Sequence, residues 1–157
     1  MGIQSVIDPI IAGIGGSGSG LGGSSLFTGA SDALSGAGSA IASGIGKALL
    51  SAFDEERLEV FIKATNFTRF TDKTIATAGG LREEIQATRQ RGYSFDDEER
   101  TIGMRCVAAC ILNGYSEAVA GISISGPTPR MPDARIREMG LLVTEAAREI
   151  SRRLGAS

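Results

Sequence analysis

The stretch between residues 92 and 127 constrains the fold most, because apolar and small residues alternate there with the period of two expected of β-strands. It contains three strand-sized runs, Tyr93–Phe95, Met104–Leu112 and Ala118–Ser125. An Asn-Gly pair, which is the strongest short signal for a hairpin, begins the link between the second and third runs. The sequence therefore predicts an antiparallel meander.

Strand side chains alternate between the two faces of a sheet, so the pattern indicates which residues lie together. One face of the second run carries Met104, Cys106, Ala108 and Cys110. One face of the third run carries Val119, Gly121, Ser123 and Ser125. The opposite face of the third run is apolar and is predicted to be core, with Ala118, Ala120, Ile122 and Ile124.

The composition excludes several classes of function. The 157 residues, of which 42% are hydrophobic, are enough for one domain with its own core. Sixteen basic and eighteen acidic residues give a net charge of -2, which does not indicate a nucleic-acid-binding surface. The chain has no histidine, which excludes histidine ligation of a metal or haem and a Ser-His-Asp triad. No metal or other cofactor is predicted.

The two cysteines indicate a reduced environment. Cys106 and Cys110 lie four residues apart on one strand, so their Cα atoms would be roughly 13 Å apart, too far for a disulfide. The sequence has neither a membrane-spanning apolar run nor the basic start of a signal peptide. We therefore expect a cytoplasmic protein that does not bind a membrane.

Residues 1–40 differ in composition from the rest and are predicted to be a separate Gly/Ser/Ala-rich leader, followed by a domain over residues 41–157. Gly13–Ser25 is typical of a flexible linker, and Pro9 argues against a long helix over Ile3–Ile14. Three glycines have a GxGxxG-like spacing, but no strand precedes them and no acidic residue follows about twenty positions later. Low complexity explains this pattern better than a nucleotide site.

Two short helices are predicted after the leader. The first follows the glycine-rich turn before Lys47, and the second begins after Asp54, which is a typical N-cap. The second helix has an apolar stripe, and both helices are expected to pack on the sheet.

Two longer helices complete the predicted domain. The third runs from an N-cap at Thr77 to a C-cap at Gly92. The last begins with Pro132 at its first position. Its apolar residues recur every three or four positions: Ile136, Met139, Val143, Ala147, Ile150 and Leu154.

Several segments of the sequence, in order, resemble one family. SGIGKALL, LREEIQATRQRGYSFDDEE, GMRCVAA, AVAGISISGP and AAREISRRLG are similar to the C-terminal effector-binding domain of IclR-type bacterial transcriptional regulators, over about residues 40–156. The resemblance implies an α+β fold of GAF type, an antiparallel sheet with helices on its faces. It also implies a homo-oligomer, dimer or tetramer, that binds a small metabolite such as glyoxylate or pyruvate. The metabolite would control DNA binding by a winged helix-turn-helix.

The resemblance also implies which residues bind the ligand. These are Gly44 and Ile45 in the turn, Asp96 before the acidic residues, Met104 and Cys106 on one strand, and Ser123 and Ser125 on the next. The strand alternation agrees, because it puts each of these strand pairs on a single face. Hydroxyl and backbone N–H groups can hold a small carboxylate without a formal positive charge.

Alternatives remain open for individual residues. Asp96 could bind a ligand hydroxyl or hydrate, or could itself be protonated. Ser123 and Ser125 could instead form the solvated face of the sheet. Cys106 and Cys110 are predicted to be small buried residues and not nucleophiles, since no histidine is present to activate them. Asp97, Glu98 and Glu99 are expected to form a solvated turn.

The start of the chain departs from the family. Residues 1–40 resemble neither the DNA-binding domain nor the first strands of the effector sheet, so these strands are predicted to be missing or replaced. Ile3–Ile14 and Leu26–Ala40 could fill the gap, or an apolar surface could remain exposed and favour association. The preferred function is a metabolite-sensing module, not an enzyme. The alternative is a structural or oligomerisation module with a vestigial pocket.

Overall fold

The computed structural model describes residues 27–29 and 37–157. The described helices are α1 (Ala37–Ile41), α2 (Gly44–Ser51), α3 (Glu55–Ala64), α4 (Ala78–Arg91) and α5 (Asp133–Arg153). The described strands are β1 (Phe27–Gly29), β2 (Ser94–Asp97), β3 (Met104–Leu112) and β4 (Ala118–Pro127), and a short 3-10 turn covers Thr128–Arg130. None of the described helices is both long and apolar enough to span a membrane.

The described strands form one antiparallel sheet in the order β1-β4-β3-β2. The predicted meander is therefore confirmed, and β3 has the predicted bounds. β2 begins one residue later than predicted, and β4 continues two residues beyond Ser125. The predicted α+β class is also confirmed, since helices cover both faces of this sheet.

β1 extends the sheet at the edge formed by β4. Its residues Phe27, Thr28 and Gly29 pair with Ile122, Gly121 and Ala120. Part of the segment Leu26–Ala40 thus supplies a strand where the family resemblance had predicted missing or replaced strands. The interpretations of Ile3–Ile14 and Gly13–Ser25 lie outside the described residues.

α5 covers one face of the sheet and forms the larger core with it. Val107 and Ile111 of β3 and Ile122 of β4 pack there against the predicted apolar stripe of α5. Both elements present an apolar surface, because apolar residues recur every three or four positions on one side of the helix and every second position on one face of each strand. The predicted core face of β4 is confirmed by the burial of Ala120 and Ile122 and by the packing of Ile124.

The other face of the sheet is covered by α2, and a second core lies above that helix. Leu50 of α2 packs there with Leu58 and Ile62 of α3 and with Leu81 and Ile85 of α4. The expectation that α3 packs on the sheet is wrong. Its buried residues contact other helices, because α2 already occupies the sheet face.

Local capping signals fix most helix ends as predicted. Asp54 accepts the N–H of Arg57 at 2.8 Å, and Thr77 accepts the N–H of Gly80 at 3.0 Å. Gly92 ends α4 with φ 88°, a conformation that favours glycine. Pro132 was expected at the first helical position, but it is the N-cap, with ψ 158°, and α5 begins one residue later.

The alternation predicted for β4 fails at its start. Ile111 pairs with Ala120, whereas Leu112 pairs with Ala118, so Val119 has no partner in β3. This β-bulge turns Val119 away from the face of Gly121 and Ser123, and it packs against the core under α5. From Gly121 to Ser125 the predicted alternation holds.

We expect Gly140→Ala to lower the free energy of unfolding by about 1–3 kcal/mol, since a methyl group there overpacks the core. An added Cβ would lie 2.5 Å from ring atoms of Tyr93. Urea denaturation measures the change. Gly79→Ala in α4 is the matched control, because a Cβ there has no neighbour within 4 Å and should be neutral or slightly stabilising. Equal losses in both variants would contradict the close packing of Tyr93 on α5.

Candidate ligand-binding site

The register of the sheet brings three predicted site residues into one row. Asp96 of β2 pairs with Cys106 of β3, and Cys106 pairs with Ser125 of β4. Residues that pair directly across neighbouring strands project from the same face of a sheet. A carboxylate, a thiol and a hydroxyl therefore lie side by side on the face that α2 covers.

A second row lies next to the first on the same face of the sheet. It consists of Ser94, Ala108 and Ser123, which pair across the same three strands. Ser123 is only 5% exposed, whereas Ser125 is exposed. Met104 pairs with Pro127 at the end of the sheet and is 40% exposed. The site therefore has a buried inner part at Ser123 and an open outer part at Ser125 and Met104.

The first turn of α2 lies directly against these rows. A Cβ added at Gly44 would lie 2.8 Å from Sγ of Cys106 and 3.5 Å from Cβ of Ala108. Only glycine allows the backbone to come this close to the thiol. Ile45, the next residue, packs against Gly121 of β4, where an added Cβ would lie 2.8 Å from Cγ2 of Ile45.

The N-terminus of α2 presents two unused hydrogen-bond donors. Ser43 is the N-cap; its Oγ accepts the N–H of Gly46 at 2.9 Å, and its carbonyl accepts the N–H of Lys47 at 3.1 Å. The N–H groups of Gly44 and Ile45 have no acceptor among the residues that the structure describes. Free N–H groups at a helix N-terminus, together with the helix dipole, favour an anion.

Ser94 is a residue of this region that the sequence did not single out. Its hydroxyl donates to the carbonyl oxygen of Gly44 and lies 3.3 Å from the carbonyl oxygen of Ala108. It is fully buried and ties the first turn of α2 to β2 and β3. No signal in the sequence indicated this role, because a serine inside a short strand is equally compatible with a buried position and with a solvated face of the sheet.

Cys106 is a neutral thiol in this environment. Burial raises its pKa above the usual value, although the neighbouring hydroxyls of Ser125 and Ser123 act in the opposite direction. The thiolate is the reactive form of cysteine, so a raised pKa argues against nucleophilic chemistry. Both cysteines are free, and the pKa of Cys110 is likewise raised by burial.

Asp96 is half-buried, and burial raises the pKa of its carboxyl group above the ordinary value. The N–H of Glu99, which donates to Oδ1 at 2.9 Å, and the positive charge of Lys47 only partly oppose this effect. Asp96 makes no ion pair within residues 27–29 and 37–157.

Lys47 and Glu99 form a buried ion pair next to the candidate site. This pair was not predicted from the sequence. The side chain of Lys47 is 0% exposed, and its Nζ donates to Oε2 of Glu99 at 2.7 Å and to the carbonyl oxygen of Phe95. Oε1 of Glu84 in α4 lies 3.4 Å from the same nitrogen. The available signal was the position of Lys47 on a short helix, directly before the apolar residues Ala48–Leu50, which are buried.

The expectation that Glu99 belongs to a solvated turn is wrong. Glu99 is 5% exposed, and burial raises the pKa of its carboxyl group despite the attraction of Lys47. Its Oε1 is buried without a partner among the described residues. Asp97 and Glu98 remain partly exposed, as expected of that turn.

Residues 35–152 match the family described as "Bacterial transcriptional regulator IclR C-terminal". The chain belongs to this family. A relative, the HTH-type transcriptional regulator BhcR of Paracoccus denitrificans, is 51% identical over 110 residues, which cover 70% of this chain and 39% of BhcR. The chain spans about two-fifths of the length of the curated relatives it matches. The resemblance inferred from the sequence segments is therefore confirmed.

Solved structures of IclR-type regulators share the fold. The Thermotoga maritima IclR matches with a TM-score of 0.71 and 34% identity, covering 74% of this chain and 47% of that one. The inducer-binding domain of the PobR transcription factor from Acinetobacter, solved as a complex with 3-hydroxybenzoic acid, matches with a TM-score of 0.65 and 28% identity. That match covers 71% of this chain and 65% of the PobR chain.

We expect Lys47→Met to lower the free energy of unfolding by about 3–5 kcal/mol at neutral pH, because it leaves Glu99 as a buried carboxylate without its cation. A carboxyl group with a raised native pKa stabilises the fold at low pH, and this stability is lost as the pH rises through the native value. Loss of Lys47 raises the pKa of Glu99 further. In the variant, stability should therefore fall as the pH rises from the ordinary glutamate value of 4.5 to that higher pKa.

Urea denaturation at several pH values measures this effect. Arg82→Met is the matched control, because Arg82 forms an exposed pair with Glu59 and its loss should change stability little at any pH. A Lys47→Met variant as stable as the control at neutral pH would contradict the importance of the buried pair.

Proposed function

We propose that this domain is the metabolite-sensing part of an IclR-type regulator and that it binds a small carboxylate between α2 and the sheet. Binding involves no covalent chemistry. The ligand would change the affinity for DNA of a winged helix-turn-helix in the complete regulator, which we propose acts in the bacterial cytoplasm as a dimer or tetramer.

One observation carries the proposal. The two N–H groups at the start of α2, those of Gly44 and Ile45, have no acceptor in the described part of the chain, and they lie where Gly44 touches Cys106. A carboxylate placed there would receive two backbone hydrogen bonds and the favourable end of the helix dipole. The hydroxyls of Ser123 and Ser125 offer further donors on the same face.

The charges around the site fit an anion held by neutral donors. The buried cation nearest to the site, Lys47, is committed to Glu99 and the carbonyl oxygen of Phe95. It therefore adds a favourable potential but no direct bond to the ligand. Charge-assisted hydrogen bonds from neutral donors to a carboxylate are stronger than neutral ones, so such a site can bind without a salt bridge.

The packing of α2 favours a small ligand. Gly44 lies against Cys106 and Ala108, and Ile45 lies against Gly121, so the helix covers the inner part of the sheet face. A ligand would enter beside Asp96, Cys106 and Ser125, where Ser125 and Met104 are exposed. The PobR inducer-binding domain, which shares this fold, was solved with an aromatic acid and supports an acidic ligand here. Glyoxylate and pyruvate are the smaller acids that we propose to test first.

We expect Ser123→Ala and Ser125→Ala each to weaken the binding of glyoxylate or pyruvate by about 10-fold to 100-fold, the usual effect of losing a hydrogen bond to a charged group. Isothermal titration calorimetry measures the dissociation constants. Ser123→Ala should have the larger effect, because its hydroxyl is buried and water cannot replace it.

Thr101→Ala is the matched control, since it removes an exposed hydroxyl from the β2–β3 turn and should leave binding unchanged. Binding of neither acid, together with serine variants that behave like wild type, would overturn the sensor and favour a structural module with a vestigial pocket. An unusually low pKa of Cys106 in a thiol titration would instead favour a cysteine-dependent enzyme.

A further inference from the structure

Four acidic residues follow one another at the end of β2 and in the next turn, and three of them have cations. Asp97 contacts Arg105 at 2.9 Å and Lys73 at 3.4 Å. Lys73 also contacts Glu98 at 2.9 Å. Glu99 is paired with the buried Lys47. Asp96 is the remaining member, and it has no ion pair among the described residues.

Asp96 is also the member that faces the proposed ligand. It lies in one row with Cys106 and Ser125, next to the first turn of α2. Its Oδ1 accepts the N–H of Glu99, while its Oδ2 receives no hydrogen bond from residues 27–29 and 37–157. One carboxylate oxygen is therefore held by the turn, and the other is left for the ligand or for a proton.

The charged groups around Asp96 among the described residues lie on α2, α4, β2 and the turn after β2. Lys47 of α2 faces it but is bound to Glu99, and the guanidinium of Arg100 lies over the ring of Phe70 at 5.4 Å. The acidic Asp97 and Glu99 flank it, and the neutral Cys106 lies beside it on β3. Glu84 and Arg91 of α4, behind Lys47, pair with each other at 2.7 Å. Among the described residues, Arg100 is thus a nearby cation without an ion pair, but it lies over Phe70 and only partly offsets the effect of burial on Asp96. A second carboxylate beside Asp96 would therefore have no ion pair of its own in the described part of the chain.

We propose that Asp96 takes up one proton when a carboxylate binds, so that the ligand enters together with a proton from solvent. The inference rests on the proposed function and deepens it. The proton leaves hydronium or a protonated buffer molecule and adds to a carboxylate oxygen of Asp96, and no other covalent bond forms or breaks. The ligand brings one negative charge and the proton one positive charge, so binding leaves the net charge of the site unchanged. The neutral acid then donates a hydrogen bond to an oxygen of the ligand.

The burial that already raises the pKa of Asp96 acts in the same direction. A second negative charge beside a half-buried carboxylate disfavours its ionised form further, so the pKa in the complex exceeds that in the free domain. Of the two roles open to Asp96 from sequence, this geometry favours the protonated acid over an ionised acceptor of a ligand hydroxyl.

The sign of the pH dependence follows from these two pKa values. Below the pKa of free Asp96 the site is already protonated, so binding is independent of pH. Between the free and bound values, each rise of one pH unit weakens binding by up to about tenfold, because one proton is taken up. Above the bound value the affinity is again constant.

The test is calorimetric titration of the domain with pyruvate between about pH 6 and about pH 7.5, in PIPES and in imidazole at each pH, because both buffer this range and their ionisation enthalpies differ. Pyruvate is ionised throughout this range, so the ligand contributes no proton change. Wild type should bind more weakly as the pH rises. The apparent enthalpy should differ between the two buffers by an amount that corresponds to uptake of up to one proton.

Asp96→Asn mimics the protonated acid and can still accept the N–H of Glu99. It should bind pyruvate with the same affinity across the range, without proton uptake, and about tenfold or more tightly than wild type at the alkaline end. Asp72→Asn is the matched control, because Asp72 is exposed and its side chain has no described partner; it should keep the wild-type slope.

The outcomes separate this inference from the proposed function. Binding by wild type with no proton uptake would overturn the inference and leave the sensor intact. Proton uptake that persists in Asp96→Asn would overturn the assignment to Asp96 and move it to Glu99. Absence of binding in wild type and Asp96→Asn at every pH would overturn the proposed function and the inference together.

Discussion

The structure depends on the contacts that the buried ammonium group of Lys47 makes. This group joins α2 to the end of β2 through Glu99 and the carbonyl oxygen of Phe95, and it lies 3.4 Å from Glu84 of α4. A charge with no solvent exposure is tolerated only where its partners are fixed. The same contacts therefore hold the first turn of α2 over the sheet and fix the end of β2, where Asp96 lies.

The site that results is built from small and neutral groups. Glycine at position 44 lets the helix backbone approach Cys106, and a serine N-cap at position 43 consumes only one of the early N–H groups. The proposed chemistry is therefore recognition by donors that are held in place before the ligand arrives. The raised pKa of Cys106 agrees with a role in packing and contact, not in nucleophilic attack.

Much of the architecture could be predicted from local patterns. The period-two run of β3 and the caps at Asp54, Thr77 and Gly92 were correct, because they depend on neighbouring residues and on hydrogen bonds within one turn. The packing of α3, the turn of Val119 away from the site and the burial of Glu99 were not predicted. Each depends on contacts with residues far away in sequence, such as the bulge opposite Leu112 or the partner at Lys47.

The sequence by itself determined the order of the elements, the two faces of β3, the faces of β4 from Gly121 to Ser125, and the segments that identify the family. The tertiary structure alone decided that Asp96, Cys106 and Ser125 share one row, since the register between strands is set by pairing across the whole sheet. It alone decided which of the four acidic residues 96–99 has no ion pair among the described residues. Pairing of charges depends on distances between elements, and the spacing of residues along a chain does not contain those distances.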